Sequence, residues 1–339
     1  MRYHLLGRTG LRVSELFLGA MVYADRDELG RMIDTYAEAG GNVIDTASAY
    51  GDSEEHLGEI LGNRRDRFVL ATKYTLSRDH NDPNAAGNHR KNLKHSLDRS
   101  LKLLKTDYVD LLWVHIRDRH TPVEETMRAL DDLVRSGKVL YLGISDAPAW
   151  WISYANALAQ WRGWTPFSAT QVPYNLLKRD VERELLPMAE EFGLSTTAWG
   201  PLANGVLAGK FLDGPLKEGA RVKPDALSDQ DIAMAKAVRK VAADVDATPS
   251  QVALAWIQSR GSSVHPIVGA RTAEQLKENL GAVDVQLPES AFQELEAVSS
   301  FELGFPADFI AECEESAFVF GEANKRTKGR GGTAQRPVV

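Results

Sequence analysis

The feature that most constrains this sequence is a regular alternation of short apolar segments with longer amphipathic ones, repeated eight times along one chain. Short runs rich in Val, Ile and Leu are typical of buried parallel strands, whereas apolar residues three or four positions apart are typical of helices. The predicted strands are Leu16–Met21, Asn42–Ile44, Arg67–Lys73, Asp107–His115, Val139–Ile144, Ser168–Val172, Leu194–Trp199 and His265–Val268. The predicted helices are Glu28–Ala39, Ser53–Leu61, Asn88–Leu103, Val123–Arg135, Pro148–Gln160, Arg179–Phe192, Asp229–Asp244, Pro249–Ser259, Thr272–Leu280 and Glu289–Ser299.

No linker or change of composition divides these units, so the pattern predicts a closed (β/α)8 barrel, the TIM-barrel class of α/β folds. An open doubly wound sheet is the alternative, but such folds usually divide at a second domain. Two segments around a glycine-containing turn, Tyr3–Leu6 and Leu11–Val13, predict a β-hairpin before the barrel. We expect a single barrel domain over residues 1–325 and a flexible tail over 326–339, a Gly-rich basic stretch.

Two further segments are expected to shape the pocket. Gly200–Leu227 is a Gly- and Pro-rich insertion between two units, and the stretch that contains Phe301, Phe305 and Phe309 mixes aromatic with acidic residues. We expect the second stretch to form a C-terminal loop over the mouth of the barrel, the opening at the carboxyl ends of its strands.

Composition narrows the class of protein. A net charge of −7 gives no indication of a nucleic-acid partner. The one cysteine, Cys313, excludes internal disulfides and a multi-cysteine metal site, and no metal is expected. No apolar run approaches the ~20 residues that span a bilayer. The expectation is a soluble, cytoplasmic protein, with the choice between monomer and homo-oligomer left open.

Four residues with reactive side chains fall at or just beyond the carboxyl ends of predicted strands: Asp45, Tyr50, Lys73 and His115. These strand ends converge on the mouth of a parallel barrel, where active sites of this fold are built. A Lys at the end of an apolar strand is costly unless it is paired, so Asp45 is its expected partner. We call these four residues the quartet.

The quartet has the chemistry to protonate an oxygen. Free Tyr has a pKa near ~10 and is a poor acid at neutrality, but a neighbouring ammonium favours the phenolate and so makes Tyr50 a better proton donor. Asp45 would orient Lys73, and His115 would hydrogen-bond the substrate oxygen. The arrangement predicts protonation of an alkoxide during carbonyl reduction.

Over about Tyr3 to Phe309 the sequence resembles the aldo-keto reductases. The resemblance is carried by the opening Gly-Arg-Thr-Gly-Leu, the Asp45–Tyr50 loop, Tyr108-Val109-Asp110-Leu111 before His115, Gly143-Ile144-Ser145, the segment from Gln171 to Leu176, and Gly269 to Gln275. It implies a (β/α)8 barrel that reduces aldehydes or ketones with NADPH. The quartet then matches the family's catalytic tetrad, with Tyr50 as the acid.

The resemblance also implies a cofactor site. Ser145, Asp146 and Gln171 would hold the nicotinamide amide, and Trp199 would stack on its ring. Arg271 opens a helix just after the last predicted strand, and an Arg there, together with free helix N–H groups, would favour a 2′-phosphate, hence NADP over NAD. The loop expected to cover the pyrophosphate with bare N–H groups and one Lys contains Gly200, Pro201, Leu202, Gly205, Leu207, Gly209 and Lys210. The residues expected at the adenosine are Gly269, Arg271, Gln275, Glu278 and Asn279.

Two departures from the family pattern affect the expected pocket. The usual Ser-Asn pair is Ser145-Asp146 here, and an ionised Asp only accepts hydrogen bonds, so one amide contact must differ. Arg117, close after His115, is a candidate substrate contact that would favour a polar or anionic group, with a solvated rim residue as the alternative. Tyr23 is a second candidate substrate contact.

There are two alternatives to an aldo-keto reductase. One is an NADP(H)-binding regulatory or partner subunit with the same barrel, against which the complete quartet argues. The other is a short-chain dehydrogenase, because Tyr174 and Lys178 match its Tyr-x-x-x-Lys spacing. That reading also needs an early glycine-rich dinucleotide loop, and this sequence has none.

Overall fold

The structure, a computed structural model, describes residues 1–21, 25–214, 224–299 and 301–326. These fall into two compact units, Met1–Ser300 and Phe301–Val339. Tyr23 lies outside the described residues, as do residues 215–223 of the insertion and the tail from 327. One barrel domain over 1–325 with a flexible tail from 326 stays a prediction.

The first unit is a closed barrel of eight parallel strands, so the predicted fold class is confirmed. Around the barrel the strands follow one another in chain order, and the last of them pairs with the first. The strands are β3 (Phe17–Gly19), β4 (Val43–Asp45), β5 (Val69–Tyr74), β6 (Val109–Val114), β7 (Val139–Ser145), β8 (Phe167–Pro173), β9 (Ser195–Trp199) and β10 (Val264–Val268).

Helices surround this barrel, with their apolar faces on the strands. They are α1 (Arg26–Glu38), α2 (Ser53–Leu61), α3 (Arg90–Leu104), α4 (Val123–Arg135), α5 (Ala149–Arg162), α6 (Leu185–Phe192), α7 (Asp229–Asp244), α8 (Pro249–Gln258), α9 (Ala273–Leu280) and α10 (Glu289–Ser299). Their starts are readable from the sequence: at α8, Thr248 and Gln251 form the reciprocal capping box, and Pro249 occupies the first turn.

One predicted helix is shorter than expected. Arg179–Phe192 was predicted as continuous, but α6 begins at Leu185, after a separate 3-10 turn over Asp180–Glu182. The physical reason is tertiary. The guanidinium of Arg179 is turned inward, where it donates to the carboxylates of Glu182 and Glu296, and these contacts fix its backbone outside the helix.

The predicted hairpin is present as β1 (Tyr3–Leu5) and β2 (Arg12–Ser14), which pair antiparallel. It lies at the amino-terminal ends of the barrel strands, because the N–H of Gly7 donates to Ser195 Oγ at the start of β9 over 2.8 Å. Leu6 and Val13 join the apolar cluster inside the barrel. The hairpin therefore closes the floor and leaves the opposite end, the mouth, for chemistry.

The second unit has helices α11 (Ala307–Glu315) and α12 (Ala317–Phe320), followed by a 3-10 turn, Glu322–Arg326. Its predicted place over the mouth stays a prediction. In the described ranges of both units, no helix is long and apolar enough to cross a membrane.

Candidate active site

Strand alternation decides which side chains enter the barrel. Val43, Val69, Ala71, Leu111 and Trp113 belong to the apolar cluster in its interior. Side chains two positions apart lie on the same face of a strand. Asp45 and Lys73 therefore stand one layer above Val43 and Ala71, and His115 stands above Trp113 just past the end of β6. The positions of these residues along their strands therefore place three members of the quartet, Asp45, Lys73 and His115, above the same apolar layer.

Trp113 forms the platform under this layer, and it fits because its neighbour on β7 has no side chain. A Cβ on Gly143 would lie 2.2 Å from Trp113 Cε3. Gly143 and Ser145 share a face of β7, so Ser145 enters the mouth one layer higher.

Lys73 and Asp45 form a buried ion pair, as predicted. Lys73 is 1% exposed and Asp45 is 3% exposed. The Nζ of Lys73 donates to Asp45 Oδ2 and, over 2.9 Å, to the carbonyl of Thr46. Gln171 Nε2 donates to the other carboxylate oxygen, Asp45 Oδ1, over 3.3 Å. A buried pair persists only when such additional hydrogen bonds satisfy its atoms.

Tyr50 lies over this pair in the loop between β4 and α2. The Nζ of Lys73 is 4.9 Å from the centroid of the Tyr50 ring. Burial raises the pKa of Tyr50, while Lys73 acts in the opposite direction. The predicted effect of the ammonium is therefore present, but burial outweighs it, so the pKa of Tyr50 lies above its usual value.

His115 completes the cluster. Its ring meets the Tyr50 ring edge to face, with centroids 5.8 Å apart and planes at 83°. Burial, helped by the charge of Lys73, lowers the pKa of His115 to about 3, so the imidazole is neutral at physiological pH. Its Nδ1 is buried and has no hydrogen-bond partner in the described ranges. A neutral imidazole of this kind suits hydrogen bonding to a substrate oxygen.

The residues predicted to hold the nicotinamide surround the same mouth. Ser145 ends β7 and Gln171 lies in β8, and both are buried. Asp146 follows β7 in a left-handed turn with φ of 45°, and its Oδ1 accepts a hydrogen bond from Trp199 Nε1 over 3.1 Å. Trp199 ends β9 and is 38% exposed, which leaves ring surface open at the mouth. The contact between Asp146 and Trp199 was not foreseen from the sequence.

The loop predicted to cover the pyrophosphate is folded onto itself. The N–H groups of Gly205, Leu207 and Gly209 donate to carbonyls within the loop, so the expectation that they are bare was wrong. Tight turns engage these donors because each N–H forms a hydrogen bond with the carbonyl of a residue a few positions earlier. The side chain of Leu207 is buried in an apolar cluster, whereas Lys210 is exposed.

Gly200 and Pro201 begin this loop directly after Trp199, and Leu202 follows them. Asn175, just after β8, donates its side-chain amide to the carbonyl of Gly200 over 2.8 Å. This residue positions the loop but was not singled out from the sequence. Its only signal was its place in the motif from Gln171 to Leu176.

Three of the residues predicted at the adenosine, Gly269, Arg271 and Gln275, lie around the start of α9. Gly269 and Arg271 are exposed, and the backbone N–H of Arg271 donates to Gln275 Oε1 over 3.0 Å. The first turn of α9 was expected to offer free N–H groups, which was wrong. Ala273 N donates to Glu28 Oε1 over 2.6 Å, and Gln275 N donates to the capping Thr272 Oγ1 over 3.2 Å.

Glu278 and Asn279 lie in the last turn of α9. Glu278 is exposed, while Asn279 is 1% exposed and its Nδ2 has no hydrogen-bond partner among the residues described. An unsatisfied buried amide is costly, so a ligand acceptor for Asn279 Nδ2 would be stabilising.

Arg117 packs on an exposed tryptophan. Its guanidinium carbon lies 5.0 Å from the ring centroid of Trp150, at the start of α5. The loop it occupies is held by Asp118, whose carboxylate accepts from the N–H of Asn88 over 2.5 Å. A role for Arg117 in substrate binding stays a prediction.

Comparison with known proteins shows which family this chain belongs to. The family model described as "Aldo/keto reductase family" matches residues 15–300. A norsolorinic acid reductase of Aspergillus flavus is 37% identical over 337 residues, which covers 93% of this chain and 86% of that protein. An aryl-alcohol dehydrogenase of Pestalotiopsis microspora is 38% identical, with 89% and 80% covered. A putative aryl-alcohol dehydrogenase of Saccharomyces cerevisiae is 35% identical, with 92% and 90% covered.

Proposed function

Because the chain belongs to the aldo/keto reductase family, we propose that it is an NADPH-dependent oxidoreductase that reduces aldehydes or ketones to alcohols. The observation that carries the proposal is the buried Lys73–Asp45 pair beneath Tyr50, with His115 against the phenol ring. These four residues come from two strands and two loops, and a purely structural core has no need to gather them. Each has a separate task in protonating a carbonyl oxygen.

Tyr50 is the proton donor. Its Oη gives a proton to the carbonyl oxygen as that oxygen acquires negative charge, and Lys73 stabilises the phenolate that remains. Asp45 fixes Lys73 by accepting a hydrogen bond from its charged Nζ. Neutral His115 donates a hydrogen bond to the same carbonyl oxygen and so orients the carbonyl carbon. The bound nicotinamide supplies the hydride.

The side chains around the mouth fit a nicotinamide dinucleotide. Trp199 presents a partly exposed indole for the ring, and Ser145 with Gln171 offers hydrogen-bonding groups for the amide. Buried Asn279 has an unsatisfied Nδ2 at the far end, where the adenine would lie. Arg271 is exposed just before α9 and suits a 2′-phosphate, which favours NADPH.

For the substrate we infer an aromatic aldehyde or ketone. The relatives are named as a norsolorinic acid reductase and as aryl-alcohol dehydrogenases, and these names point to aromatic carbonyl chemistry in those proteins. Similarity over about nine-tenths of this chain supports the same class here. The edge-to-face pair of Tyr50 and His115 supplies aromatic surface beside the reacting oxygen.

The test is a screen of substituted benzaldehydes and aryl ketones that follows loss of NADPH absorbance, with the alcohol identified by chromatography. We expect turnover that is stoichiometric with the alcohol formed and slower with NADH. Tight NADPH binding without turnover of any carbonyl compound would instead support a regulatory or partner subunit. Absence of NADPH and NADH binding would overturn the cofactor assignment itself.

A further inference from the structure

We propose that the carboxylate of Asp146 stabilises the oxidised, cationic nicotinamide over the reduced, neutral one, and so makes the bound cofactor a stronger hydride donor. The inference rests on the proposed function, because it requires a nicotinamide at Trp199. It assigns to Asp146 an electrostatic task distinct from holding the cofactor amide.

The position of the carboxylate is fixed by two features of the fold. Asp146 has a φ of 45°, a conformation that Asp tolerates better than most residues, and this turn directs it from the end of β7 toward β9. There Oδ1 accepts from Trp199 Nε1 over 3.1 Å. The negative charge is thereby held at the edge of the indole on which the nicotinamide ring is proposed to stack.

This carboxylate has no cation of its own. Within the described ranges, no Lys or Arg side chain forms an ion pair with Asp146. The nearby Lys73 forms its ion pair with Asp45. Asp146 is exposed to the mouth, yet the surrounding protein raises its pKa through desolvation, against the opposing effects of the Trp199 hydrogen bond and the charge of Lys73. An anion in this situation is stabilised by any positive charge that forms next to it.

Hydride transfer creates such a charge. With the proposed cofactor bound, the C–H bond of the dihydronicotinamide would break, its hydrogen and electron pair would form a C–H bond to the carbonyl carbon, and the π pair of the carbonyl would move to the oxygen, which leaves the ring a pyridinium with charge +1. The carbonyl oxygen receives its proton from Tyr50. A carboxylate beside the ring therefore interacts more strongly with the cofactor after transfer than before it, which favours reduction of the carbonyl compound.

Replacement of Asp146 by asparagine, the usual residue of the family pattern, removes the negative charge while it keeps the shape of the side chain. The variant Asp146→Asn keeps a side-chain oxygen that accepts from Trp199 Nε1 but carries no charge. By contrast, Asp146→Ala removes both the charge and the acceptor. Asp244→Asn, on the outer face of α7, removes one exposed carboxylate at a distance and serves as the matched control.

Dissociation constants of NADP+ and NADPH are measured by calorimetry at about pH 8 and low salt for the four proteins. We expect the ratio of the NADP+ constant to the NADPH constant to rise about tenfold in Asp146→Asn and in Asp146→Ala, the order of one charge interaction at a partly solvated site. Asp244→Asn should leave the ratio unchanged. Raising the salt concentration should shrink the difference.

The outcomes separate the two proposals. If the unaltered protein binds both cofactor forms but Asp146→Asn leaves their ratio unchanged, the electrostatic inference fails and the proposed function stands. If only Asp146→Ala changes binding, and weakens both forms equally, Asp146 merely positions Trp199 and the inference is overturned. If the unaltered protein binds neither form, both proposals fall together.

Discussion

The two sides of the barrel mouth are built in different ways. On the side of β4 to β6, Asp45 and Lys73 are almost fully buried, and their positions are set by strand register. On the side of β9 and β10, Trp199 and Arg271 are exposed, and neighbouring N–H groups are engaged within loops or by Glu28. The side proposed for catalysis is preorganised by the core, whereas the side proposed for the cofactor consists mainly of exposed side chains.

This difference predicts unequal consequences of mutation. Changes on the buried side should affect the chemical step and the stability of the fold together, because a buried ion pair loses its compensation when one partner is removed. Changes on the exposed side should affect ligand affinity with little effect on folding.

The largest expected effect is that of Tyr50→Phe. Removal of the hydroxyl eliminates the proposed proton donor while leaving the ring against His115 and over Lys73. We expect turnover to fall by about 10³-fold or more, near the upper part of the range for general acid catalysis, with NADPH affinity nearly unchanged. Steady-state kinetics and a cofactor titration measure the two effects. Substantial turnover by the Phe variant would remove Tyr50 as the acid.

Lys73→Met should have the next largest effect. The phenolate loses its cation, so the rate should fall by about 10²-fold, and the pKa of Tyr50 should rise further because burial then acts unopposed. Reduction requires protonated Tyr50, so the alkaline limb of the pH–rate profile should move to higher pH. An unaltered profile in this variant would argue against the coupling of the two residues.

The control for this variant addresses folding. Lys73→Met leaves Asp45 buried without its cation, which costs about 3–5 kcal/mol when one partner of such a pair is removed. The double variant Asp45→Asn with Lys73→Met removes both charges and should recover part of the loss in melting temperature. It should not recover the rate, because the phenol still lacks a cation.

The contrast between the two sides also explains what the sequence predicts well. Barrel, hairpin and the grouping of Asp45, Lys73 and His115 follow from period-two alternation and from the convergence of parallel strand ends, and both are local patterns. The start of α6 was missed because contacts of Arg179 with Glu296, more than a hundred residues away, override a helical pattern.

Properties that depend on the three-dimensional surroundings of a residue could not be predicted from the sequence. The pKa of Tyr50 depends on how much protein encloses the phenol, and no spacing of residues reports that quantity. The N–H groups expected to be free for phosphate are engaged by turns in the loop from Gly200 and by Glu28, on a helix far away in sequence. The hydrogen bond between Trp199 and Asp146 likewise joins two strand ends, 53 residues apart.

Arg271→Ala tests the exposed side. A charge-assisted contact with a 2′-phosphate is worth about 1.5–3 kcal/mol, so NADPH affinity should fall roughly ten- to a hundredfold while NADH affinity stays nearly constant. Because the first-turn N–H groups of α9 already have partners, we expect them to add little. The matched control Lys277→Ala removes one exposed positive charge from α9 itself and should have a much smaller effect.

Both cofactors are titrated against the three proteins by quenching of tryptophan fluorescence, at low and high salt. The loss for NADPH should diminish as salt rises, because the site is exposed. Equal losses for NADPH and NADH would mean that Arg271 contacts another part of the cofactor.

The smallest expected effect concerns the pH dependence that His115 contributes. Its pKa is lowered to about 3 by burial and by Lys73, whereas an unperturbed His has a pKa near ~6.5. The folded state therefore binds a proton at His115 only at a lower pH than the unfolded state does. The free energy of unfolding consequently falls as the pH drops from about 6.5 toward 3. For the same reason, titration of His115 should add no inflection to the pH–rate profile near neutrality. In an NMR titration from pH 8 to 5, the imidazole signal identified by its loss in His115→Gln should not shift. A midpoint near pH 6.5 for that signal would show that His115 is solvated and charged in acid, and the buried side of the mouth would then be more open than the contrast drawn above requires.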